Sequence, residues 1–227
     1  MKKLKNPVKP LGVQKGFIKF NYFFYDFVKA TAAIPGVICL RPKWIFENEE
    51  AKKKIKGGAV VMSNHLGYGD PVYIQMTLWY RRHHIICTKE FFETAWPGYF
   101  FKYFLCIPID RDNFGIDTFR SIVDHLKNEE IVSIFPEGHI NQNDDGKLNA
   151  FKTGMVYMAY QSKKPIVPVY IKKKDKVFSP TVMVIGEAVD VASQCEGHSI
   201  MAKMDEIAKQ LYEKELQLEK LANAEEI

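Results

Sequence analysis

Short unbroken apolar runs alternate along the chain with segments of helical period. The runs "AVVMS" (59–63), "HIICT" (84–88), "CIPI" (106–109), "IVSIF" (131–135), "IVPVYI" (166–171) and "TVMVIG" (181–186) are four to six residues long. Many of their residues are β-branched, and they predict buried strands. Residues 71–81, 93–104, 115–128 and 153–164 predict helices, the second interrupted by Pro97. In the third, Ile116, Phe119, Ile122, Val123 and Leu126 share one side. From Ser199 onward Ile200, Met204, Ile207 and Leu211 keep helical spacing. This predicts a C-terminal amphipathic helix packed on the domain and fraying beyond Leu221. Strands alternating with helices predict an α/β fold: a mixed, largely parallel sheet flanked by helices.

The N-terminal part has a different pattern. Over residues 16–31, "GFIKFNYFFYDFVKAT", a helix places Phe17, Phe20, Phe23, Phe24, Phe27 and Val28 on one face. Lys15, Lys19, Asp26 and Lys29 fall on the other. Such a helix either packs on the domain or lies in a membrane interface, rings in the acyl boundary and lysines toward headgroups. The lysines around it favour the interface. The uncharged run 30–40 is shorter than the ~20 residues that span a bilayer, and charges flank it, so a spanning helix is not expected. The charged connector "FENEEAKKKIKGG" follows. The chain therefore divides into a basic, aromatic-rich membrane segment, 1–45, and a main domain, 46–227.

With 227 residues, 47% hydrophobic and 26% charged, the chain suits one folded domain with a small appendage. The net charge of +5 is modest, but Lys2, Lys3, Lys5, Lys9, Lys15 and Lys19 precede the first acid, Asp26. That asymmetry suits an anionic surface. The adjacent aromatic helix favours lipid, so no nucleic-acid partner is expected. Cys39, Cys87, Cys106 and Cys195 show no CxxC spacing; they read as buried, reduced thiols in a reducing compartment, with no metal site. No secretory signal is evident.

Candidate chemistry sits at strand ends, where α/β sheets build their sites. "SNHLGYGD" follows the strand at 59–63, and "PEGH" follows the strand at 131–135. His65 and Asp70 are five residues apart, about 140° around a continuous helix, and would not meet on one. Gly67 and Gly69 allow a tight loop instead. Pro71 suits a first helical position, which makes Asp70 the N-cap. Folded back, the Asp70 carboxylate can hold one imidazole nitrogen and leave the other free as a general base. An imidazole's ordinary pKa of about 6.5 suits that role. No GxSxG elbow occurs, which points to activation of a substrate hydroxyl without a covalent enzyme intermediate. Taken singly, the pair reads first as a capped turn, "PEG" as a structural turn, and Arg111 as a salt-bridge partner.

Four ordered blocks change that balance: Asn64-His65-Leu66-Gly67-Tyr68-Gly69-Asp70, Ile107-Pro108-Ile109-Asp110-Arg111, Phe135-Pro136-Glu137-Gly138 and Ile166-Val167-Pro168-Val169. Over residues 58–172 the chain resembles the glycerolipid acyltransferases typified by 1-acylglycerol-3-phosphate acyltransferases. The resemblance implies transfer of a fatty acyl group from acyl-CoA or acyl carrier protein to the hydroxyl of a lysophospholipid acceptor at a membrane lipid surface, on its cytoplasmic face. It implies no cofactor and no metal. His65 would be the base and Asp70 its orienting partner; Arg111 with the Glu137-Gly138 turn would position the headgroup. Lys152, in "FKTG", is a further phosphate ligand or else a solvated lysine. The family block continues Phe-Pro-Glu-Gly-Thr-Arg, whereas here His139 and Ile140 follow Gly138. Loss of that arginine leaves open another lysolipid, or an amino-acid-containing one, as acceptor. A lipid-binding protein without catalysis is the reading of another class; an intact set of His65, Asp70, Arg111 and Glu137 argues against it.

Overall fold

The computed structural model describes residue 9 and residues 22–143, 147–172 and 179–224. Helix α1 is Phe23–Leu40, followed by strands β1 (Lys43–Phe46) and β2 (Ala59–Ser63), helix α2 (Asp70–Thr77) and strand β3 (His83–Thr88). A 3-10 turn (Lys89–Glu93) leads into α3 (Ala95–Tyr103), β4 (Ile107–Ile109), α4 (Ile116–Lys127) and β5 (Ile131–Ile134). The chain continues through α5 (Gly154–Ser162), β6 (Ile166–Ile171), β7 (Val182–Ile185), a short α6 (Val191–Gln194) and α7 (Ile200–Ala224).

The seven strands form one sheet in the order β1-β7-β6-β2-β5-β3-β4, and every neighbouring pair is parallel except β6 with β7. The predicted mixed, largely parallel sheet is therefore present. All five residues of β2 are buried, as expected for a central strand covered on both faces. Val60 and Met62 pack toward α4, α5 and α7, while Ala59 and Val61 pack toward α2 and the 3-10 turn. In α4, Ile122, Val123 and Leu126 are buried, each contributing roughly 1.5–3 kcal/mol through apolar burial. Gly58 is required where β2 starts: a Cβ there would stand 2.3 Å from the Leu126 carbonyl oxygen.

Several sequence expectations need correction. Ile116 opens α4 and is exposed: the buried apolar side chains of this helix, Ile122, Val123 and Leu126, lie more than one turn further on. Cys39, expected to be buried, is exposed near the end of α1; Cys87 is half-buried, and only Cys106 and Cys195 are buried. The apolar pattern predicts no strand at 43–46, where the residues are mostly exposed and, among the described residues, β1 pairs with β7 alone. Helix α7 does not fray at Leu221: it runs to Ala224, with Ala222 fully buried beside Leu218 and Val184.

The N-terminal helix is also longer than expected. Phe17 and Phe20 lie outside the described residues, but α1 joins the aromatic segment to the uncharged run without a break. Its 18 residues have a mean hydropathy of 1.5, long and apolar enough by length and composition to cross a membrane. Lys29, expected to face headgroups, turns to the domain instead, as does Asp26. Asp26 pairs with the Arg82 guanidinium at 2.5 and 2.8 Å, and Lys29 Nζ donates to the Arg81 carbonyl at 2.6 Å. The polar side of α1 is thus fixed to the domain. Phe23, Phe24, Phe27, Ile34, Val37 and Ile38 remain exposed on it.

Candidate active site

The site begins where β2 and β5 end side by side, in a register that pairs Met62 with Ile134. Beyond β2, the Asn64 side chain replaces ladder bonds. Its Oδ1 accepts from Ile171 N at 2.8 Å, and its Nδ2 donates to Ile171 O at 2.9 Å. The Asn64 backbone N–H donates to Glu215 Oε1 at 3.0 Å, from α7. His65 therefore starts from a fixed point.

The loop then folds back as expected. His65 Nδ1 lies 2.8 Å from Asp70 Oδ2. The same oxygen accepts from Leu66 N at 2.5 Å and Gly67 N at 2.8 Å. Asp70 is not the N-cap: α2 starts at Asp70, its N-cap is Gly69, and Pro71 takes the second position. The carboxylate ties the preceding loop, and it sits 3% exposed at the helix N-terminus, where the helix dipole favours its charge. Because a carboxylate accepts, Nδ1 carries the proton, which leaves Nε2 with a free lone pair. The imidazole stacks on Phe135, with centroids 4.2 Å apart and planes 18° apart.

Glu137 has a different position from the one the sequence suggested. It is 1% exposed and does not line the cleft. Its Oε1 accepts from His65 N at 3.0 Å, and its Oε2 accepts from Asn149 N at 2.9 Å and Asn149 Nδ2 at 2.8 Å. Glu137 therefore braces the His65 loop against the 147–151 segment. Gly138 turns with φ +78°, and a Cβ there would stand 2.9 Å from Lys152 Cε and Nζ. The missing side chain leaves Lys152 room to lie across the turn.

These residues open on a cleft of about 1020 Å³ lined by His65, Arg111, Gly138 and Lys152, so the structure brings four of the predicted site residues to one space. Its inner wall is apolar, formed by Ile85, Phe91, Phe101, Met155 and Met158 among others. Asp110 is paired with Lys89, which holds its carboxyl below the usual range. Neighbouring Arg111 is exposed and has no ion-pair partner among the described residues; Lys152 is also exposed and without one. Ile140 lines the same cleft.

Sequence reasoning missed Asn64, Asn149 and Glu215 as supports. Asn149 lies in a polar loop that carries no signal. Glu215 carried one: it sits four residues after Leu211 and three before Leu218, an acid on the buried stripe of α7. It is fully buried, and burial raises its carboxyl well above the usual range.

Residues 43–172 match the family model described as Acyltransferase. The chain is 33% identical over 111 residues to the 1-acyl-sn-glycerol-3-phosphate acyltransferase of Bacillus subtilis (strain 168), covering 49% of this chain and 54% of that protein. It thus spans about half the length of that curated relative. The structure resembles that of the 1-acyl-sn-glycerophosphate (LPA) acyltransferase PlsC from Thermotoga maritima, with a TM-score of 0.57 and 20% identity, covering 89% of this chain and 78% of the other. At that identity the likeness concerns the fold.

Proposed function

The chain belongs to the acyltransferase family, and from that premise we propose that it moves a fatty acyl group from a thioester to the free hydroxyl of 1-acylglycerol-3-phosphate, giving phosphatidic acid. The observation that carries the reading is the 2.8 Å His65–Asp70 contact at the mouth of a cleft with an apolar interior. Nε2 of His65 takes the proton from the acceptor hydroxyl as its oxygen attacks the thioester carbonyl. When the tetrahedral adduct collapses, the C–S bond breaks, and the imidazolium returns the proton to the leaving thiolate. Asp70 stabilises the imidazolium in between.

Arg111 and Lys152 supply the cationic rim for the acceptor's phosphate, a guanidinium being suited to two oxygens at once. The apolar wall takes acyl chain. The donor is acyl-CoA or acyl carrier protein, both anionic and suited to a basic rim. The exposed apolar face of α1 holds the protein on the cytoplasmic surface of a membrane, where acceptor and product reside.

Ile140 supports a second reading, in which the chemistry is the same and the acceptor is another lysolipid. Mass spectrometry of products from a panel of lysolipids, each offered with one acyl donor, separates the two. Phosphatidic acid as the dominant product supports the first reading. Acylation of other lysolipids with lysophosphatidic acid left intact would replace it with the second.

A further inference from the structure

A second cluster of chemically capable side chains lies at the opposite end of the sheet, where β3 and β5 begin. His84, His125 and Glu130 each offer a ligand atom, and these atoms lie within 4.8 Å of one another. All three residues are buried, His125 completely. We propose that His84, His125 and Glu130 form a zinc-binding site of the two-histidine, one-carboxylate type.

The distances suit this. Two ligand atoms on one tetrahedral zinc stand about 3.4 Å apart when each bond is about 2.0–2.2 Å. His84 Nε2 and Glu130 Oε2 are 3.4 Å apart. His125 Nδ1 is closer to that oxygen, at 2.6 Å, a hydrogen bond across a shared proton. Metal binding replaces such a proton, and the pair then opens by about 0.8 Å to reach the ligand spacing. The imidazole rings already lie together, with centroids 4.1 Å apart. Tyr22 OH donates to the other carboxylate oxygen, Oε1, at 3.0 Å, the kind of outer contact that orients a metal ligand.

The surroundings admit the ion. A cleft of about 450 Å³ reaches the cluster and is lined by Tyr22, His84 and Glu130, so a fourth position can take water. Three cations line this cleft: Lys29 donates to the Arg81 carbonyl, and the Arg82 guanidinium lies 4.8 Å from the Tyr22 ring centroid. Arg81 donates to the carbonyls of Ile55, Gly57 and Glu129, and Arg82 pairs with Asp26. Adjacent His83 is not a ligand. Its Nδ1 is bonded to Ser133 Oγ at 2.8 Å and its Nε2 faces the Leu78 carbonyl at 3.4 Å. Alternation along β3 sends His84 to the opposite face. The ion would fix Glu130 and with it Tyr22, the residue just before α1, so the site would staple the N-terminal helix to the domain. None of this depends on acyl transfer.

The test is zinc content of the full chain in detergent, dialysed against buffered zinc at neutral pH, for wild type, His125→Asn and Glu130→Gln. We expect one equivalent more in wild type than in either variant, since exposed His139 and His198 contribute equally to all three. Equal zinc in all three would overturn the site. Cobalt(II) in the wild type alone guards against variants that fail to fold: an intense four-coordinate visible spectrum supports the site, and a weak six-coordinate one contradicts it.

Discussion

At the scale of single residues, one carboxylate oxygen organises the site. Asp70 Oδ2 meets His65 Nδ1 and two backbone N–H groups. Asp70→Asn can keep an acceptor there but loses the charge that, on the proposed mechanism, stabilises the imidazolium. Turnover should fall by about 10²–10⁴ with the fold intact, measured as kcat beside a circular dichroism spectrum; unchanged kcat would contradict the orienting role. Glu137 is a different case. Both its oxygens accept, so Glu137→Gln turns an amide N–H₂ toward donors and leaves a buried mismatch. Its cost should be about 1–3 kcal/mol in denaturant unfolding, and a smaller change would argue against the brace. The His65–Asp70 pair was legible because Gly67 and Gly69 allow a folded-back loop and because three further ordered blocks accompany it. Glu137's role was not, since a sequence does not show which way a carboxylate turns from a Pro-Gly turn.

At the scale of elements, the apolar runs located six of the seven strands, because a buried strand of a parallel sheet is written as continuous hydrophobicity. Strand β1 escaped because an edge strand exposed along most of its length lacks that signature. Helix α1 shows the reverse limit. Its charges read as a solvent- or headgroup-facing side, but Asp26 and Lys29 satisfy groups on the domain, 52 to 56 residues away in sequence. The face left exposed is aromatic and aliphatic. Replacing Phe23 and Phe27, 68% and 55% exposed, by Asp should release the protein from liposomes in flotation while it still acylates a water-soluble acceptor. Undiminished flotation would place the membrane contact elsewhere.

For the whole molecule, the C-terminal helix connects the fold to the site. Glu215 of α7 accepts the N–H of Asn64 while burial, with Glu137 and Glu219 adding to it, keeps its carboxyl protonated well above the ordinary value of 4.5. A group with a raised folded-state pKa contributes most below its unfolded value, so its contribution declines as pH rises toward the folded value. Glu215→Gln keeps the shape and removes the proton. Between pH 5 and pH 8, roughly the span above an unfolded carboxyl's titration, wild type should lose stability relative to this variant. Parallel pH profiles would show that Glu215 is not held neutral. That an acid lay on the apolar stripe of α7 was visible in the sequence; that it reached Asn64, 151 residues away, required the fold.

On the proposed mechanism everything turns on His65 as the base of the acyl transfer. The most direct test is product formation by His65→Ala, with lysophosphatidic acid and an acyl thioester, beside lysolipid binding by the same protein. Transfer should fall by about 10²–10⁴-fold with binding retained. Near-normal turnover would contradict it.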